Sequence, residues 1–382
     1  MNTAVIVAAV RTPTGRAPRG ALKDIRPDEL AATAVKCLLE KVPQLDVTWI
    51  DDVILGCAFP ELEQGFNAAR TVAIRAGLPN SVSAMTVNRF CASGLQAIAL
   101  GVNEVMAGWA EVVVAGGFES MSTIPLGGMK ICPNPYLMEN YPEYYLNMGL
   151  TAEKVATRYK ITRQMQDEFA YQSFCKAERA VTTGRFKEEI VPVEFKAGGK
   201  NKVVDTDEIK KGMTREVIAA AKPVFKNDGT VTASNTSQTT DGAGAILIMS
   251  EKKAVELHIE PIAVLKTFAV AGCDPDVMGI GPIYAIPRAL KQAGLKLDDI
   301  QLIELNEAFA AQALACMKML GINQEILNVN GGAIALGHPL GGTGAKLTAT
   351  LLYEMKKRNL KYGMVSMCIG GGMGAAGIFE RV

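Results

Sequence analysis

An internal duplication constrains the fold of this 382-residue chain more than any other feature of its sequence. The segment IDDVIL at Ile50–Leu55 is echoed by LDDIQLI at Leu297–Ile303. A small hydroxyl residue followed by glycine comes at a similar distance after each segment, as Ser93–Gly94 and Thr343–Gly344. Similar sequences at similar spacing form similar units, so the chain is predicted to contain two halves of one design.

Strands and helices are predicted to alternate in both halves. Several short runs are apolar throughout, which is typical of strands covered by helices on both faces of a parallel sheet. The predicted strands are Val5–Val10, Val53–Gly56, Ala84–Val87, Val112–Ala115, Pro261–Leu265 and Met364–Met367. The predicted helices are Pro27–Lys41, Ser93–Ala107, Pro282–Ala293 and Leu347–Met355. This alternation indicates an α/β fold.

The stretch between the two halves differs in character from both. It opens with a loop rich in Pro, Gly and Tyr at Pro125–Tyr145 and continues with a predicted helix at Arg163–Thr183. We interpret it as a large insertion from the first half that covers a site. The predicted division is residues 1–120, an inserted loop domain with its return to the first half at 121–245, and a second half at 246–382.

Composition narrows the functional classes. Forty basic and 39 acidic residues leave a net charge of +1, which favours neither nucleic acid nor an anionic membrane as partner. No apolar run is long enough to predict membrane insertion, and no targeting signal is recognised, so we expect a cytoplasmic protein. Eight cysteines without a C-x-x-C pair, together with two histidines, predict neither a disulfide framework nor a metal site.

Cys91 is the strongest candidate for a nucleophile. It follows a predicted strand and precedes a predicted helix, where backbone N–H groups and the positive end of the helix dipole are expected to lower its pKa. The small residues after it leave room for a substrate. A buried structural cysteine is the usual alternative, but this strand–turn–helix setting favours a functional role.

His338 is the candidate base for that thiol. It lies between Gly337 and Pro339 in a glycine-dense turn that is suited to presenting one side chain. His258, the other histidine of the sequence, lies in a polar connector and is predicted to be at the surface.

Two further segments carry candidate residues. Cys368 ends a predicted strand and faces the glycines from Gly370 onward, which suggests an acid–base thiol beside an oxyanion hole. Asn306 directly follows the repeated strand, in the place that Cys57 has in the first half. A simple helix cap is the alternative for Asn306, but strand ends are where α/β sites form.

Taken together, NRFCASGLQAIA, NEAFA, GGAIALGHPLGGTGA and C-x-GGGMG resemble the thiolase family, and the resemblance covers essentially the whole chain. It implies the thiolase-like five-layered αβαβα fold, with a five-stranded sheet in each half and an inserted loop domain. It also implies thiolytic cleavage of a 3-ketoacyl-CoA by CoA to acetyl-CoA and a shortened acyl-CoA, or the reverse Claisen condensation.

The resemblance assigns roles to the candidate residues. Cys91 would carry the acyl group, His338 would accept its proton, and Cys368 would be the second acid–base thiol. The backbone N–H groups of Cys91 and Gly370 would form one oxyanion hole. His338 and a water positioned by Asn306 would form the other.

The same resemblance implies where CoA and the acyl group lie. Ser237 matches the serine beside the pantetheine, and Lys210, Lys211 or Lys222 would meet the nucleotide phosphates. The substrate-binding set predicted in this way is Ser237, Lys210, Asn147, Met148 and Phe309. Coenzyme A would be a substrate, and no separate cofactor is implied.

The variable positions favour a degradative 3-ketoacyl-CoA thiolase. Asn147 stands where acetoacetyl-CoA thiolases usually carry histidine, and Arg89–Phe90 replaces the Gln-Leu of many biosynthetic members. A condensing acetoacetyl-CoA thiolase is the alternative. A ketoacyl synthase, a cysteine peptidase and a non-catalytic CoA-binding scaffold fit the residues less well. We also expect a homodimer or homotetramer, with a hydratase–dehydrogenase as an optional partner in fatty-acid β-oxidation.

Overall fold

The computed structural model describes residues 2–382. Its strands are β1 (Ala4–Arg11), β2 (Gly15–Arg16), β3 (Asp52–Gly56), β4 (Ser83–Val87), β5 (Val112–Ser120), β6 (Val193–Ala197), β7 (Lys200–Val204), β8 (Thr240–Ser250), β9 (Ala263–Gly272), β10 (Leu302–Leu305), β11 (Tyr362–Ile369) and β12 (Met373–Arg381).

The helices are α1 (Pro27–Glu40), α2 (Ala68–Arg75), α3 (Ser93–Ala107), α4 (Pro135–Asn140), α5 (Met148–Tyr159), α6 (Arg163–Thr182), α7 (Arg215–Ala219), α8 (Glu251–Glu256), α9 (Gly281–Ala293), α10 (Ala310–Leu320), α11 (Ala333–Leu336) and α12 (Thr343–Arg358).

Each half contributes one section of sheet. The first runs β4-β3-β5-β8-β1, and the second runs β10-β11-β12-β9. The two sections meet at a single pair, Ile6 opposite Ala263. Within residues 2–382 the second section thus has four strands rather than the five expected. An isolated parallel bridge between Ile303 and Leu327 lies where β4 lies in the first half, so the fifth strand is reduced to one pair.

The prediction of a parallel sheet is wrong for much of the structure. β3 pairs in parallel with β4 and β5, and β10 with β11, but β8 and β12 are each antiparallel to both of their neighbours. The strands are apolar throughout because helices cover both faces of the sheets. Strands in such a layered structure are buried whether they run parallel or antiparallel, so an apolar strand does not indicate its direction.

Five layers are confirmed by three separate hydrophobic clusters. One cluster joins α1 and α2 to the outer face of the first sheet. A second surrounds α3 and α12 between the two sheets, and a third joins α9 and α10 to the outer face of the second sheet. The apolar sequence Phe90–Ala107 is long enough to cross a bilayer by composition, contrary to our expectation. It contains α3, whose central position between two sheets explains its composition.

The inserted region packs over the edge of this scaffold, and its return strand crosses the predicted boundary at residue 245. β8 continues to Ser250, and both of its neighbours in the sheet, β1 and β5, belong to the first half. We therefore propose that the first half ends after Ser250 rather than at 245.

Candidate active site

A strained turn presents Cys91 between β4 and α3. Phe90 has a φ of 43°, in the left-handed region that side chains rarely adopt, and a short 3₁₀ turn follows at Phe90–Ala92. The Ser93 hydroxyl accepts a hydrogen bond from Arg89 N at 2.8 Å and donates one to Phe90 O at 2.7 Å. These bonds fix the turn, and the Cys91 side chain is left in a buried position with 4% of its surface exposed.

The expectation of a lowered Cys91 pKa is wrong. Burial raises the pKa of the thiol to about 12, and the charge of Glu119 acts in the same direction. The N–H groups of Gly370 and of Cys91 itself point at the sulfur and lower the pKa, but burial outweighs them. At neutral pH the resting group is therefore a thiol, and its proton must be removed during the reaction.

His338 is held in the tautomer that a base requires. The Thr343 hydroxyl donates to Pro339 O at 2.8 Å, so its oxygen accepts from His338 Nδ1, 2.6 Å away. The Nε2 atom then carries the lone pair, and the Asn306 amide nitrogen lies 3.3 Å from it. This assignment follows from the hydrogen-bond network. Burial lowers the pKa of His338 to about 3, with a further contribution from the Lys346 charge, so the imidazole is neutral at pH 7.

Glu119 is buried beneath the turn that follows His338. Its carboxylate accepts hydrogen bonds from Gly341 N and Ala58 N, both at 2.8 Å, and from the Gln64 side chain at 2.7 Å. Burial raises its pKa, and these donors partly offset that effect. Because Glu119 belongs to the first half and Gly341 to the second, this carboxylate fixes the two halves of the site against each other.

Cys368 occupies the end of β11, followed by the glycine turn to β12. Its side chain is completely buried, and burial together with the nearby Cys91 raises its pKa well above that of a free thiol. Gly372 in this turn has a φ of 85°, and a Cβ there would lie 2.3 Å from Cys273 O. The turn therefore requires glycine, and it brings the Gly370 N–H to the Cys91 sulfur.

Asn306 follows β10 and is fixed through its backbone, because its N–H donates to Ser366 O at 2.9 Å. Its side-chain oxygen is buried, and among the residues described it has no hydrogen-bond partner. A buried amide oxygen without a partner is costly, which marks this atom as available to a ligand or a water.

These side chains converge on one cavity, which draws its walls from both halves and from the insertion. The lining includes seven of the predicted site residues, namely Cys91, Asn147, Met148, Ser237, Phe309, His338 and Cys368. Asn306 contacts His338 at Nε2. Met121, Leu126, Phe225 and Met278 make much of the remaining wall apolar, so the predicted cover by the inserted region is present.

Lys210 does not line this cavity. Its ammonium is half-buried and donates to Ala233 O at 3.1 Å. Burial and the nearby Arg16 lower its pKa. Lys211 and Lys222 also lie outside the lining, so the predicted contact of one of these lysines with nucleotide phosphates stays a prediction.

Sequence reasoning missed three residues that position the site. Thr343 orients His338, Glu119 supports the Gly341 turn, and Gln238 accepts a hydrogen bond from His338 N at 3.0 Å through its backbone oxygen. The internal repeat pointed to Thr343, which matches Ser93, whereas no local pattern marked the other two. His258 is exposed, as predicted. Within residues 2–382, no cluster of His, Cys, Asp or Glu side chains is arranged to hold a metal ion.

Comparisons with known proteins agree over the full length of the chain. Residues 4–252 match the family model described as "Thiolase, N-terminal domain", and residues 259–381 match "Thiolase, C-terminal domain". A "3-ketoacyl-CoA thiolase" of Bacillus subtilis (strain 168) is 52% identical, with both chains covered completely. The "3-ketoacyl-CoA thiolase 1, peroxisomal" of Arabidopsis thaliana is 45% identical, over 99% of this chain and 87% of the relative.

Two solved structures have the same fold. A Bacillus anthracis acetyl-CoA acetyltransferase superposes with a TM-score of 0.93, and human mitochondrial 3-ketoacyl-CoA thiolase superposes with a TM-score of 0.92. Each is 40% identical in sequence, and each comparison covers 100% of this chain and 99% of the other.

Proposed function

The chain belongs to the thiolase family, and from this premise we propose that it cleaves 3-ketoacyl-CoA with CoA through a thioester on Cys91. It is an acyltransferase, and CoA is a substrate of the reaction rather than a resident cofactor. The observation that carries the covalent mechanism is the convergence of Cys91, His338 and Cys368 on one cavity wall.

In the first step, the Cys91 sulfur attacks the 3-keto carbon while His338 Nε2 takes its proton. A pKa of about 12 for the thiol makes a free thiolate rare at rest, so proton transfer is coupled to attack on the substrate. The N–H groups of Cys91 and Gly370, which now face the sulfur, stabilise the oxyanion of the tetrahedral intermediate. Removing one such donor typically costs about 100–1,000-fold in rate.

In the second step, the bond between C2 and C3 breaks and leaves the acyl group on Cys91. The electron pair passes to the enolate of acetyl-CoA, which takes a proton from Cys368 at C2. His338, now carrying the proton, and a water held by Asn306 stabilise the enolate oxygen. Free CoA then attacks the thioester, and the CoA proton restores the Cys368 thiol. The bond between the acyl carbon and the Cys91 sulfur breaks, acyl-CoA leaves, and His338 returns its proton to Cys91.

The substrate enters along the wall formed by the inserted region. Ser237 lines the cavity and is anchored by its N–H to Ala308 O at 3.0 Å, which suits a contact with pantetheine. Met148 and Phe309 supply apolar surface to the acyl group. Lys210 lies outside the cavity lining and near Arg16, and we propose that these two cations meet the phosphates of CoA.

The wider setting follows from this chemistry. We propose that the protein works in fatty-acid β-oxidation in the cytoplasm, as a homodimer or homotetramer, with a hydratase–dehydrogenase as a candidate partner. The relatives named 3-ketoacyl-CoA thiolase support the degradative direction over condensation to acetoacetyl-CoA.

Mass spectrometry after mixing the enzyme with an acyl-CoA tests this proposal. We expect one acyl adduct, located on Cys91, and Cys91→Ala should form none while losing thiolysis by at least about 10⁴-fold. Cys316→Ser serves as the matched control, since Cys316 is equally buried but lies outside the cavity lining. An adduct on Cys368 or Cys57 instead of Cys91 would overturn the assignment.

A further inference from the structure

A buried lysine lies directly behind the catalytic histidine. Lys346 is on α12, one turn after Thr343, and has 4% of its surface exposed. Its ammonium donates to Gly337 O at 2.8 Å and to Leu336 O at 3.2 Å, the two carbonyls that precede His338. Residues three apart on a helix share a face. One face of α12 therefore contacts His338 twice, with Thr343 at the imidazole ring and Lys346 at the backbone that precedes it.

The backbone before His338 has a conformation at Gly337 that other residues rarely adopt. Gly337 has a φ of 81°, and a Cβ there would lie 2.2 Å from Thr240 Cγ2. The Leu336 carbonyl also accepts from the Thr14 hydroxyl at 2.8 Å. Glycine reaches this conformation without strain but has many others open to it, and the Lys346 ammonium is one of the groups that hold it in this one.

The charge of Lys346 is not explained by an ion pair. Burying an ammonium costs several kcal/mol unless it is compensated, yet no salt bridge within residues 2–382 includes this side chain. The charged groups that influence it are Asp207, Arg11, Glu304 and Glu189. Asp207 and Glu189 share the single guanidinium of Arg11, each at 2.7 Å, and the Lys346 ammonium balances their remaining charge only through space. Its direct contacts are with the two backbone carbonyls.

We propose that Lys346 is a positioning residue for acylation. Its ammonium holds the two carbonyls that precede His338 and thereby fixes the position from which Nε2 accepts the Cys91 proton. This inference rests on the proposed function and assigns Lys346 no contact with substrate.

The charge of Lys346 also acts on His338 itself. Burial is the larger cause of the low His338 pKa, and the Lys346 charge adds to it. This effect alone weakens the base, so the benefit of the ammonium lies in its charged hydrogen bonds to the backbone. Burial also lowers the pKa of Lys346 to about 8, against the attraction of Asp207. Below pH 8 the side chain is therefore mainly cationic, and its charge is lost as the pH rises through 8.

Three variants test the proposal. Lys346→Met removes the ammonium and keeps a similar volume, and Lys346→Arg keeps a charge that does not titrate. Lys357→Met is the matched control, because Lys357 is on the same helix and its ammonium also donates to a backbone carbonyl, that of Arg185. Acyl-enzyme formation is followed by rapid quench, acyl-CoA affinity by titration with Cys91→Ala in each background, and folding by circular dichroism.

We expect Lys346→Met to slow acylation by about 30-fold with acyl-CoA affinity unchanged, since both hydrogen bonds to the backbone before His338 are lost. Lys346→Arg should recover most of the rate, and Lys357→Met should match wild type. The rate of Lys346→Arg relative to wild type should rise about threefold from pH 7 to pH 9, because only the lysine loses its charge there.

Each result separates this inference from the function on which it rests. If wild type forms no thioester on Cys91, the proposed function fails first. If wild type acylates and Lys346→Met acylates equally fast, Lys346 has no positioning role. If Lys346→Met is folded but weakened in affinity rather than rate, or if Lys346→Arg shows no relative change with pH, the role is structural and the inference is overturned.

Discussion

The first turns of α3 and α12 are matched in sequence and in space, yet they serve different purposes. Gly94 and Gly344 occupy equivalent positions in the two halves and meet at the centre of the molecule. A Cβ on Gly344 would lie 2.1 Å from Leu95 N, and one on Gly94 would lie 2.9 Å from Ala345 N. The duplication therefore places the Cys91 turn of one half against the His338 turn of the other.

The hydroxyl that precedes each glycine shows how the halves have diverged. Ser93 bonds only to the backbone of its own turn, through Arg89 N and Phe90 O. Thr343 donates to Pro339 O in the same manner, but its oxygen also accepts from the His338 ring. One position thus stabilises a turn in the first half and also orients the His338 ring in the second. In the proposed mechanism, where His338 is the base, this one changed contact on a shared scaffold divides the chemistry between the halves.

The largest effect on this division is expected from replacing Cys368, the thiol that the second half contributes. Cys368→Ser should lower thiolysis by about 1,000-fold, because a hydroxyl is a poor acid–base group at the α-carbon. Acylation of Cys91 should persist, and mass spectrometry will detect it. A variant that no longer acylates would mean that Cys368 helps to activate Cys91 and that the roles are not divided between the halves.

The contact between the two helices can be broken at either glycine. Gly344→Ala should lower the free energy of unfolding by about 3 kcal/mol, since its methyl group meets backbone that cannot move aside. Gly94→Ala should cost about 1 kcal/mol, because its nearest atoms lie farther away. Urea unfolding of both variants compares them, and equal losses would show that the crossing is more symmetric than the distances indicate.

The two hydroxyls provide a sharper comparison. Thr343→Val keeps the shape of the side chain but removes the acceptor for His338 Nδ1, so acylation should fall about 30-fold, and the lost bonds should cost at least about 1 kcal/mol of stability. Ser93→Ala should also cost about 1 kcal/mol of stability but leave the rate nearly unchanged. Stopped-flow acylation and thermal unfolding measure both, and similar acylation rates of the pair would contradict the divergence.

The smallest expected effect concerns the insertion, which belongs to the first half alone. Leu126 and Met148 give the cavity an apolar wall toward the inserted region, and each buried CH₂ contributes about 0.8 kcal/mol. We therefore expect 3-ketooctanoyl-CoA to exceed acetoacetyl-CoA in kcat/KM by about tenfold or more, allowing for incomplete burial. A steady decline in kcat/KM beyond four carbons would favour the acetoacetyl-CoA alternative.

Patterns that depend on local spacing predicted much of the fold. The bounds of α3 agree at both ends with its apolar repeat and its following glycine, and the duplication correctly indicated two layered halves. Strand direction was not predictable, because apolar runs report burial on both faces and carry no information on the partner strand. A fifth strand was expected in the second section, but its reduction to the single bridge at Leu327 could not be anticipated from the sequence.

The residues that line the site could be predicted from the sequence, whereas the pKa of Cys91 could not. Cys91, His338 and Cys368 stand in distinctive turns, and the structure brings all three to one cavity. The pKa of Cys91 was misjudged because a helix terminus is visible in the sequence, whereas the depth of burial is not. Glu119 and Lys346 escaped notice because their roles depend on contacts between segments far apart in the chain.

The position of β12 has a consequence for the synthesis of the protein. This strand is inserted between β9 and β11, antiparallel to both, and it is the last strand formed. Until it emerges from the ribosome, β9 and β11 have no common partner, and the turn that carries Gly370 has nothing to close against. A nascent chain that already displays Cys91 therefore still lacks the Gly370 N–H that points at its sulfur in the finished fold.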